Sequence, residues 1–296
     1  KFSLFSDMVV FSSYAMQVVM SFMMLVMIFI MLPRASVAAK RILEVLDTEP
    51  SIEDGSRDSF PVMRDGEVEF KDVSFKYPDA EGYVLEHISF SAKKGETVAF
   101  IGATGCGKST AINLIPRFYD ATEGEVLVDG VNVKEYTQEA LHNKIGYVSQ
   151  KAMLFSGTIA ENVAYGENGK APANKDDVKK AISIAQASEF VDKKDLGFDG
   201  YVAQGGSNFS GGQKQRVSIA RAIARQPEIL IFDDSFSALD YKTDRILRDA
   251  LRKECKDATK IIVAQRIGTI RDADKIIVLD DGQIAGMGTH DELMKN

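Results

Sequence analysis

A stretch without a single charged side chain, residues 8–32, places the strongest constraint on how this chain folds. At about 1.5 Å per residue, a helix of that length spans the roughly 30 Å hydrocarbon core of a bilayer. A cleaved signal peptide is the alternative. Its apolar region is usually about 7–15 residues long and follows basic residues, whereas Asp7 precedes this stretch. The sequence therefore predicts a membrane-spanning helix.

Basic residues follow the apolar stretch at Arg34, Lys40 and Arg41. By the positive-inside tendency, they place the remainder of the chain in the cytoplasm. Apolar residues at helical spacing continue to Leu46, so the helix is predicted to extend into the cytoplasm or to restart there. One helix cannot enclose a pathway through a membrane, and the chain opens on Lys1. We therefore expect the sequence to begin part-way through a longer, multi-pass membrane protein.

The remainder has the composition of a cytoplasmic globular domain. Over the whole chain, 36 Lys and Arg residues against 43 Asp and Glu give a net charge of −7, which argues against wrapping nucleic acid. Two cysteines, Cys106 and Cys255, form neither a disulfide framework nor a zinc motif, as in a reducing compartment. Residues 47–66, rich in Pro, Ser, Asp and Gly, predict a linker between a membrane segment (1–46) and a globular domain (67–296).

Short apolar segments that alternate with helical patterns predict an α/β fold. Residues 67–77 alternate in polarity with a slip at Lys71 and Asp72, as in a strand with a bulge. Asp129 and Gly130 between two valine-rich segments predict a hairpin. Later strands predict a largely parallel sheet with helices on its faces. The other predicted strands are residues 87–92, 97–101, 229–232, 260–263 and 276–279.

The strand predicted at 97–101 runs into a glycine-rich loop that matches G-x-x-x-x-G-K-[ST]. Its glycines let backbone N–H groups curve around a phosphate, and the following helix adds its positive dipole end. Lys108 supplies a charge for the β- and γ-phosphates, and Ser109 a hydroxyl for Mg²⁺. The predicted nucleotide-binding residues of this loop are Gly102, Thr104, Gly105, Cys106, Gly107, Lys108, Ser109 and Thr110.

Two downstream segments supply complementary groups. The apolar strand predicted at 229–232 ends in Asp233, which is expected to hold Mg²⁺ through a water molecule. The residues Ser210, Gly211, Gly212 and Gln213 precede a helical pattern. Free backbone N–H groups at such a helix start bind phosphate, so these four residues are predicted to contact nucleotide.

In this order, the motifs resemble those of ATP-binding cassette (ABC) proteins, and with the upstream span the chain is similar to a half-transporter of the ABC exporter type. Residues 209–213 match the signature LSGGQ, with Phe in place of Leu. Residues 235–240, ending in Asp240, match the D-loop, Gln150 matches the Q-loop, and Tyr77 matches the aromatic residue that stacks on adenine. The resemblance implies a RecA-like parallel sheet core, an antiparallel β subdomain and a helical subdomain that carries the signature.

The resemblance also implies how such a cassette works. Two cassettes pair head to tail, and each of two ATP molecules is bound by the phosphate loop of one and the signature of the other. Mg²⁺ accompanies ATP, and Gln150 touches Mg²⁺ and the attacking water. The implied partners are a second half-transporter subunit, membrane lipid and a transported substrate, with no nucleic acid. Because cassette motifs are shared by exporters of drugs, lipids and peptides, they do not identify the substrate.

Two positions depart from the family pattern. Asp234 stands where hydrolysing cassettes carry Glu, and its side chain is about 1.5 Å shorter. Gln265 stands where they carry a switch His, and an amide neither carries positive charge nor relays a proton. Asp234, Gln265 and Gln150 are thus expected to form a hydrolysis-poor site in a heterodimeric exporter. The intact signature would complete the competent site of the partner.

Three alternatives stay open on the sequence alone. Neutral drift would leave Asp234 as a working base in a homodimeric exporter. A membrane-tethered regulator would bind ATP without transporting anything. A soluble ABC ATPase of DNA maintenance would use the same cassette on nucleic acid, although the apolar stretch and the net negative charge argue against it.

Overall fold

The uncharged stretch lies within one helix, α1 (Phe2–Leu46), which continues through Pro33. The helix predicted over residues 8–32 is confirmed, and the predicted extension to Leu46 is continuous with it. By length and composition α1 is able to cross a membrane, and the side chains of residues 4–46 are exposed within this chain. Apolar surface on all sides of a helix is stable in lipid or against other helices rather than in water.

The computed structural model describes residues 2–59, 65–166, 168–169, 172–193 and 196–295. Residues 60–64 of the predicted linker lie outside this part of the chain. The chain divides into two units, Lys1–Glu53 and Asp54–Asn296. The second unit begins within the predicted linker because Gly55 and Arg57 donate backbone hydrogen bonds to the carbonyls of Tyr136 and Glu135, at 3.1 and 2.9 Å.

The second unit is a mixed α/β structure. Its strands are β1 (Val68–Phe75), β2 (Leu85–Ala92), β3 (Thr97–Ile101), β4 (Glu123–Val128), β5 (Val131–Asn132), β6 (Ile145–Val148), β7 (Gly157–Thr158), β8 (Tyr201–Val202), β9 (Ile229–Asp233), β10 (Thr259–Val263), β11 (Lys275–Asp280) and β12 (Gln283–Gly288). Its α-helices are α2 (Lys108–Asn113), α3 (Gln138–Lys144), α4 (Ile159–Ala164), α5 (Lys175–Ile184), α6 (Ser188–Val191), α7 (Gly211–Ala224), α8 (Tyr241–Glu254), α9 (Ile267–Ile270) and α10 (His290–Leu293).

The largest sheet has the strand order β12-β11-β3-β10-β9-β6. The pairs from β11 to β6 are all parallel, and β12 joins the edge antiparallel. Alternate residues of its central strands enter two different hydrophobic clusters, with Leu230 and Phe232 on one face and Ile229 and Ile231 on the other. Burial on both faces explains why these strands are continuous apolar runs, and it confirms the predicted parallel sheet.

A second, antiparallel sheet has the order β2-β1-β4-β5. Its first strand contains the predicted bulge, because the pairing of β1 with β2 shifts register between Phe70 and Val73. The predicted hairpin joins β4 to β5, and Asp129 and Gly130 both have positive φ, at 56° and 80°. These angles are those of a tight turn that matches strand twist. The sheet packs on one face of the large sheet, and helices α4, α5, α7 and α8 contribute to the other face.

A partly buried ion network ties this hairpin to the large sheet. The Lys144 Nζ atom lies 2.7 Å from Asp129 Oδ2 and 2.7 Å from Glu228 Oε2. The Asp129 side chain is fully buried, and burial raises the pKa of its carboxyl group despite the adjacent ammonium. Lys144 ends α3 and Glu228 precedes β9, so three elements meet at one cation.

We expect the substitution Lys144→Ala to lower the free energy of unfolding by about 3 kcal/mol, because it leaves the buried Asp129 carboxylate without its cation. The matched control is Lys151→Ala at an exposed lysine, expected within about 0.5 kcal/mol of the parent. Chemical denaturation followed by circular dichroism measures both. Equal losses for the two variants would contradict a stabilising role for the network.

Candidate functional site

The predicted site residues follow the carboxyl ends of four neighbouring strands. The glycine-rich loop follows β3, Gln150 comes after β6, Asp233 ends β9 with Asp234 next to it, and Gln265 comes after β10. Because these strands are parallel, their carboxyl ends meet at the same edge of the sheet. Sheet topology thus assembles residues that are far apart in sequence.

The glycine-rich loop requires glycine for space as well as for backbone conformation. A Cβ atom at Gly102 would lie 2.1 Å from the carbonyl oxygen of Leu279, on β11. At Gly107 it would lie 2.7 Å from Leu85 Cδ2, and φ there is +97°. Gly105 has open space but a φ of +89°. The loop therefore packs tightly at both ends and turns sharply between them.

Lys108 lies inside the curve of this loop. Its side chain is buried, and Nζ donates to the carbonyl oxygens of Gly102 and Ala103 at 2.9 and 2.6 Å. Cys106, also buried, has its Sγ atom 3.6 Å from the same ammonium. Thr104 and Ser109 are exposed, so the loop combines an inward cation with outward polar groups.

Ser109 and Asp233 form the closest contact across the site. Ser109 Oγ donates to Asp233 Oδ1 at 2.7 Å. Asp233 is largely buried, and its other oxygen accepts from the Tyr147 hydroxyl at 3.3 Å. A hydroxyl and a carboxylate are hard oxygen donors of the kind that Mg²⁺ takes alongside phosphate oxygens. The pair therefore fits the magnesium site predicted from the sequence.

Asp234 lies at the centre of the predicted hydrolytic residues. Its Oδ2 atom accepts from the Gln265 amide at 2.9 Å and from the Gln150 amide at 3.3 Å. The backbone of Asp234 has φ +46°, and its own N–H donates to the Val263 carbonyl at 3.1 Å. Burial raises the pKa of this carboxyl group, which the Gln150 amide opposes. The three residues are brought together, and their roles in hydrolysis stay predictions.

The signature residues form the start of α7. Ser210 caps the helix in a reciprocal pair, since Gln213 N donates to Ser210 Oγ at 3.3 Å and Ser210 N donates to Gln213 Oε1 at 3.0 Å. Gly211 has no atom within 4 Å of an added Cβ, whereas one at Gly212 would lie 3.1 Å from the carbonyl oxygen of Ala238. The exposed side of this helix start is open to an incoming phosphate.

Tyr77 and Asp240 occupy the flanks of the site. The Tyr77 hydroxyl lies 3.0 Å from Thr110 Oγ1, and its ring makes an edge contact with Tyr119 at 5.2 Å between centroids. Asp240 caps α8 by accepting from the backbone N–H of Thr243 at 2.9 Å. Hydrogen bonds from Thr243 lower the pKa of the Asp240 carboxyl group. Tyr77 thus lies beside the helix that begins at Lys108, and its stacking on adenine stays a prediction.

Two residues without a predicted role, Tyr147 and Gln215, support the site. The Tyr147 hydroxyl joins Asp233 to Asn113 Oδ1, the latter at 2.9 Å, and burial raises its pKa. The buried Gln215 amide donates to the Ser149 carbonyl at 3.1 Å, next to Gln150. The available signals were an aromatic residue three positions before Gln150 and an amide within the helical pattern that follows the signature.

Known proteins share this arrangement. A family model described as ABC transporter matches residues 85–237. An uncharacterised ABC transporter ATP-binding protein of Mycobacterium tuberculosis is 46% identical over 97% of this chain and 49% of that relative. An ATP-dependent lipid A-core flippase of Vibrio vulnificus is 41% identical over 88% of this chain and 44% of the flippase. The chain thus spans about half the length of these curated relatives.

A solved structure, that of a bacterial Atm1-family ABC exporter with ATP bound, is also similar. It aligns with a TM-score of 0.82 and 35% sequence identity, over 89% of this chain and 45% of that one. The family match ends at Ser237, so Asp233 and Asp234 lie within it, whereas Gln265 lies beyond it.

We expect Gly102→Ala to lower the free energy of unfolding by about 3 kcal/mol, because its Cβ meets the Leu279 carbonyl of a core strand. Gly268→Ala in α9 is the matched control, since a Cβ there has nothing within 4 Å, and its effect should stay below about 0.5 kcal/mol. Thermal and chemical unfolding of both variants measure the two changes in the free energy of unfolding. A Gly102→Ala variant as stable as Gly268→Ala would show that the loop does not need its close approach to β11.

Proposed function

The chain belongs to the ABC transporter family, and we propose that it is the ATP-binding part of an exporter subunit that couples ATP binding and hydrolysis to export of a substrate across a membrane. The observation that carries the proposal is the convergence of Lys108, Ser109 and Asp233 at one sheet edge. The long apolar helix α1 supports a location in a membrane, with the cassette on the cytoplasmic side.

In this proposal the loop after β3 binds the triphosphate of ATP. The Lys108 ammonium exchanges its carbonyl partners for the β- and γ-phosphates, and the N–H groups around Gly105 and Gly107 donate to phosphate oxygens. The Tyr77 ring supports adenine from beside Thr110. Ser109, Asp233 and Gln150 would hold Mg²⁺, which would supply positive charge to neutralise the phosphates. Each group is already oriented by its neighbours.

We propose that this site holds ATP but hydrolyses it slowly. A general base must lie within about 2.6–3.2 Å of the water that it polarises, and Asp is one methylene shorter than the Glu of hydrolysing cassettes. Two amides, from Gln265 and Gln150, also engage the Asp234 Oδ2 atom, so that oxygen already has donors. These features act on water activation and leave the phosphate contacts intact.

The signature supports pairing with a second cassette. Gly211 and Gly212 lie at the start of a 14-residue helix, just after the Ser210 cap, where the positive end of the helix dipole favours an anion from outside the chain. We propose that they complete the ATP site on the phosphate loop of a second half-transporter subunit, and that this subunit supplies the better base. The pair would then have one hydrolysing site and one retaining site.

A homodimeric exporter with Asp234 as the base is the second candidate. The raised pKa of the buried Asp234 carboxyl favours it, because a carboxylate with higher proton affinity is a better base. Both candidates use the same ATP-binding residues, so turnover at this chain's own site distinguishes them.

We expect Lys108→Ala to weaken ATP binding to this chain about 30-fold, equivalent to roughly 2 kcal/mol of charge-assisted contacts. Equilibrium binding of a fluorescent ATP analogue measures the change. Lys179→Ala, at an exposed lysine on α5, is the control and should bind as the parent does. Equal affinity for all three proteins would contradict the assignment of the phosphate loop.

We expect Asp234→Glu combined with Gln265→His to raise single-turnover hydrolysis at this site by about 100-fold, the usual contribution of a positioned base. The experiment uses the exporter purified with its second subunit, whose own phosphate loop is inactivated. Each single substitution serves as a control and should give a smaller gain. A parent that already turns over as fast as the double variant would support the homodimeric candidate instead.

A further inference from the structure

Arg266, which follows Gln265, joins two loops of the site. Its guanidinium donates through Nη1 to the Leu239 carbonyl at 3.0 Å and through Nη2 to the Ser237 carbonyl at 2.9 Å. The Cζ atom lies 5.0 Å from the centroid of the Tyr241 ring. A planar guanidinium with two divergent donors and a stacked face fixes the loop that it holds, which a lysine at this position would do only in part.

The same loop is tied to the carboxylate of the site. Ser237 Oγ donates to the Asp234 carbonyl oxygen at 2.7 Å, and the Gln265 amide donates to Asp234 Oδ2 at 2.9 Å. Arg266 therefore closes a ring that runs from Asp234 through Ser237 to the guanidinium and back through Gln265. If Gln265 moves, either a hydrogen bond of this ring breaks or residues 237–239 move with it.

The far side of the loop touches the signature. A Cβ atom on Gly212 would lie 3.1 Å from the Ala238 carbonyl oxygen and 3.7 Å from Leu239 Cδ2. The Gly212 backbone therefore lies against residues 238–239 with little room for a side chain, and a shift of these residues toward α7 would displace the start of the helix. Residues 237–239 thus lie between the carboxylate of this chain's ATP site and the helix start that faces outward.

We propose that Arg266 is a positioning residue that couples the ATP site of this chain to the signature with which it completes a second ATP site. The inference rests on the proposed function, because it requires the signature to serve another cassette. A bound γ-phosphate attracts the Gln265 amide away from Asp234, and the guanidinium transmits that displacement to residues 237–239. The packed contact with Gly212 then changes the orientation of the α7 start.

The test uses the exporter purified with its second subunit in lipid nanodiscs. Arg266→Ala should lower kcat for ATP hydrolysis about tenfold while KM stays within about twofold, since coupling free energies commonly give changes of this size. Arg266→Lys should recover part of the loss, because an ammonium still reaches a carbonyl. Arg245→Ala, at an exposed arginine on α8, is the matched control and should leave kcat unchanged.

A double-substitution cycle with Gln265→Ala identifies the route. If Arg266 acts through Gln265, adding Arg266→Ala to Gln265→Ala should change kcat by less than about twofold. A full tenfold loss in that background would overturn the proposed coupling. If Arg266→Ala alters the thermal unfolding transition, Tyr241→Leu, which removes only the stacked ring, replaces it in the same cycle.

The outcomes separate this inference from the proposed function. If the parent exporter hydrolyses ATP and Arg266→Ala leaves kcat unchanged, the coupling is overturned and the proposed function stands. Parent exporter that binds no ATP would overturn the proposed function, and the coupling with it.

Discussion

The hydrogen bond from Ser109 to Asp233 joins residues 124 positions apart in the chain, and the nucleotide site depends on it. Ser109 lies at the start of α2, which follows β3, and Asp233 ends β9; these two strands are separated in the sheet by β10. The parallel register brings their carboxyl ends to the same edge, and burial on both faces holds that register, because a slip of one residue would send buried side chains to the wrong layer. Packing of the two hydrophobic clusters therefore determines the geometry of a polar site.

In the proposed function, binding and hydrolysis of ATP use different parts of this site. The phosphate loop depends on backbone geometry and on one lysine, and the two departures from the family pattern leave both unchanged. Asp234 and Gln265 lie at the water-activating side, where they bond to each other. A site whose phosphate-binding residues are intact and whose water-activating residues are altered would retain ATP while another site hydrolyses it. The signature lies at a helix start separate from the loop, so the chain can serve a second site whatever the rate of its own.

Sequence reasoning predicted the features that depend on local chemistry. The glycine-rich loop, the Asp129-Gly130 turn and the helix start after Ser210 each require particular residues at fixed short spacings. Contacts between distant segments leave no such pattern in the sequence. Arg266 reaches Ser237 and Leu239 across 29 and 27 positions, and nothing in the spacing indicates it. The early start of the second unit was missed for the same reason, because residues 55–57 pair with a segment near Tyr136.

The most direct test of the account is the state of the nucleotide on this chain while the exporter turns over. Photoactivatable ATP, radiolabelled at either the α- or the γ-phosphate, is incubated with the reconstituted pair during hydrolysis and then cross-linked by light. The two subunits are separated, and the radioactivity bound to each is measured. The account predicts that both labels remain on this chain, because its site holds intact ATP, whereas the second subunit keeps only the α-label. Loss of the γ-label from this chain at the rate of overall turnover would contradict it.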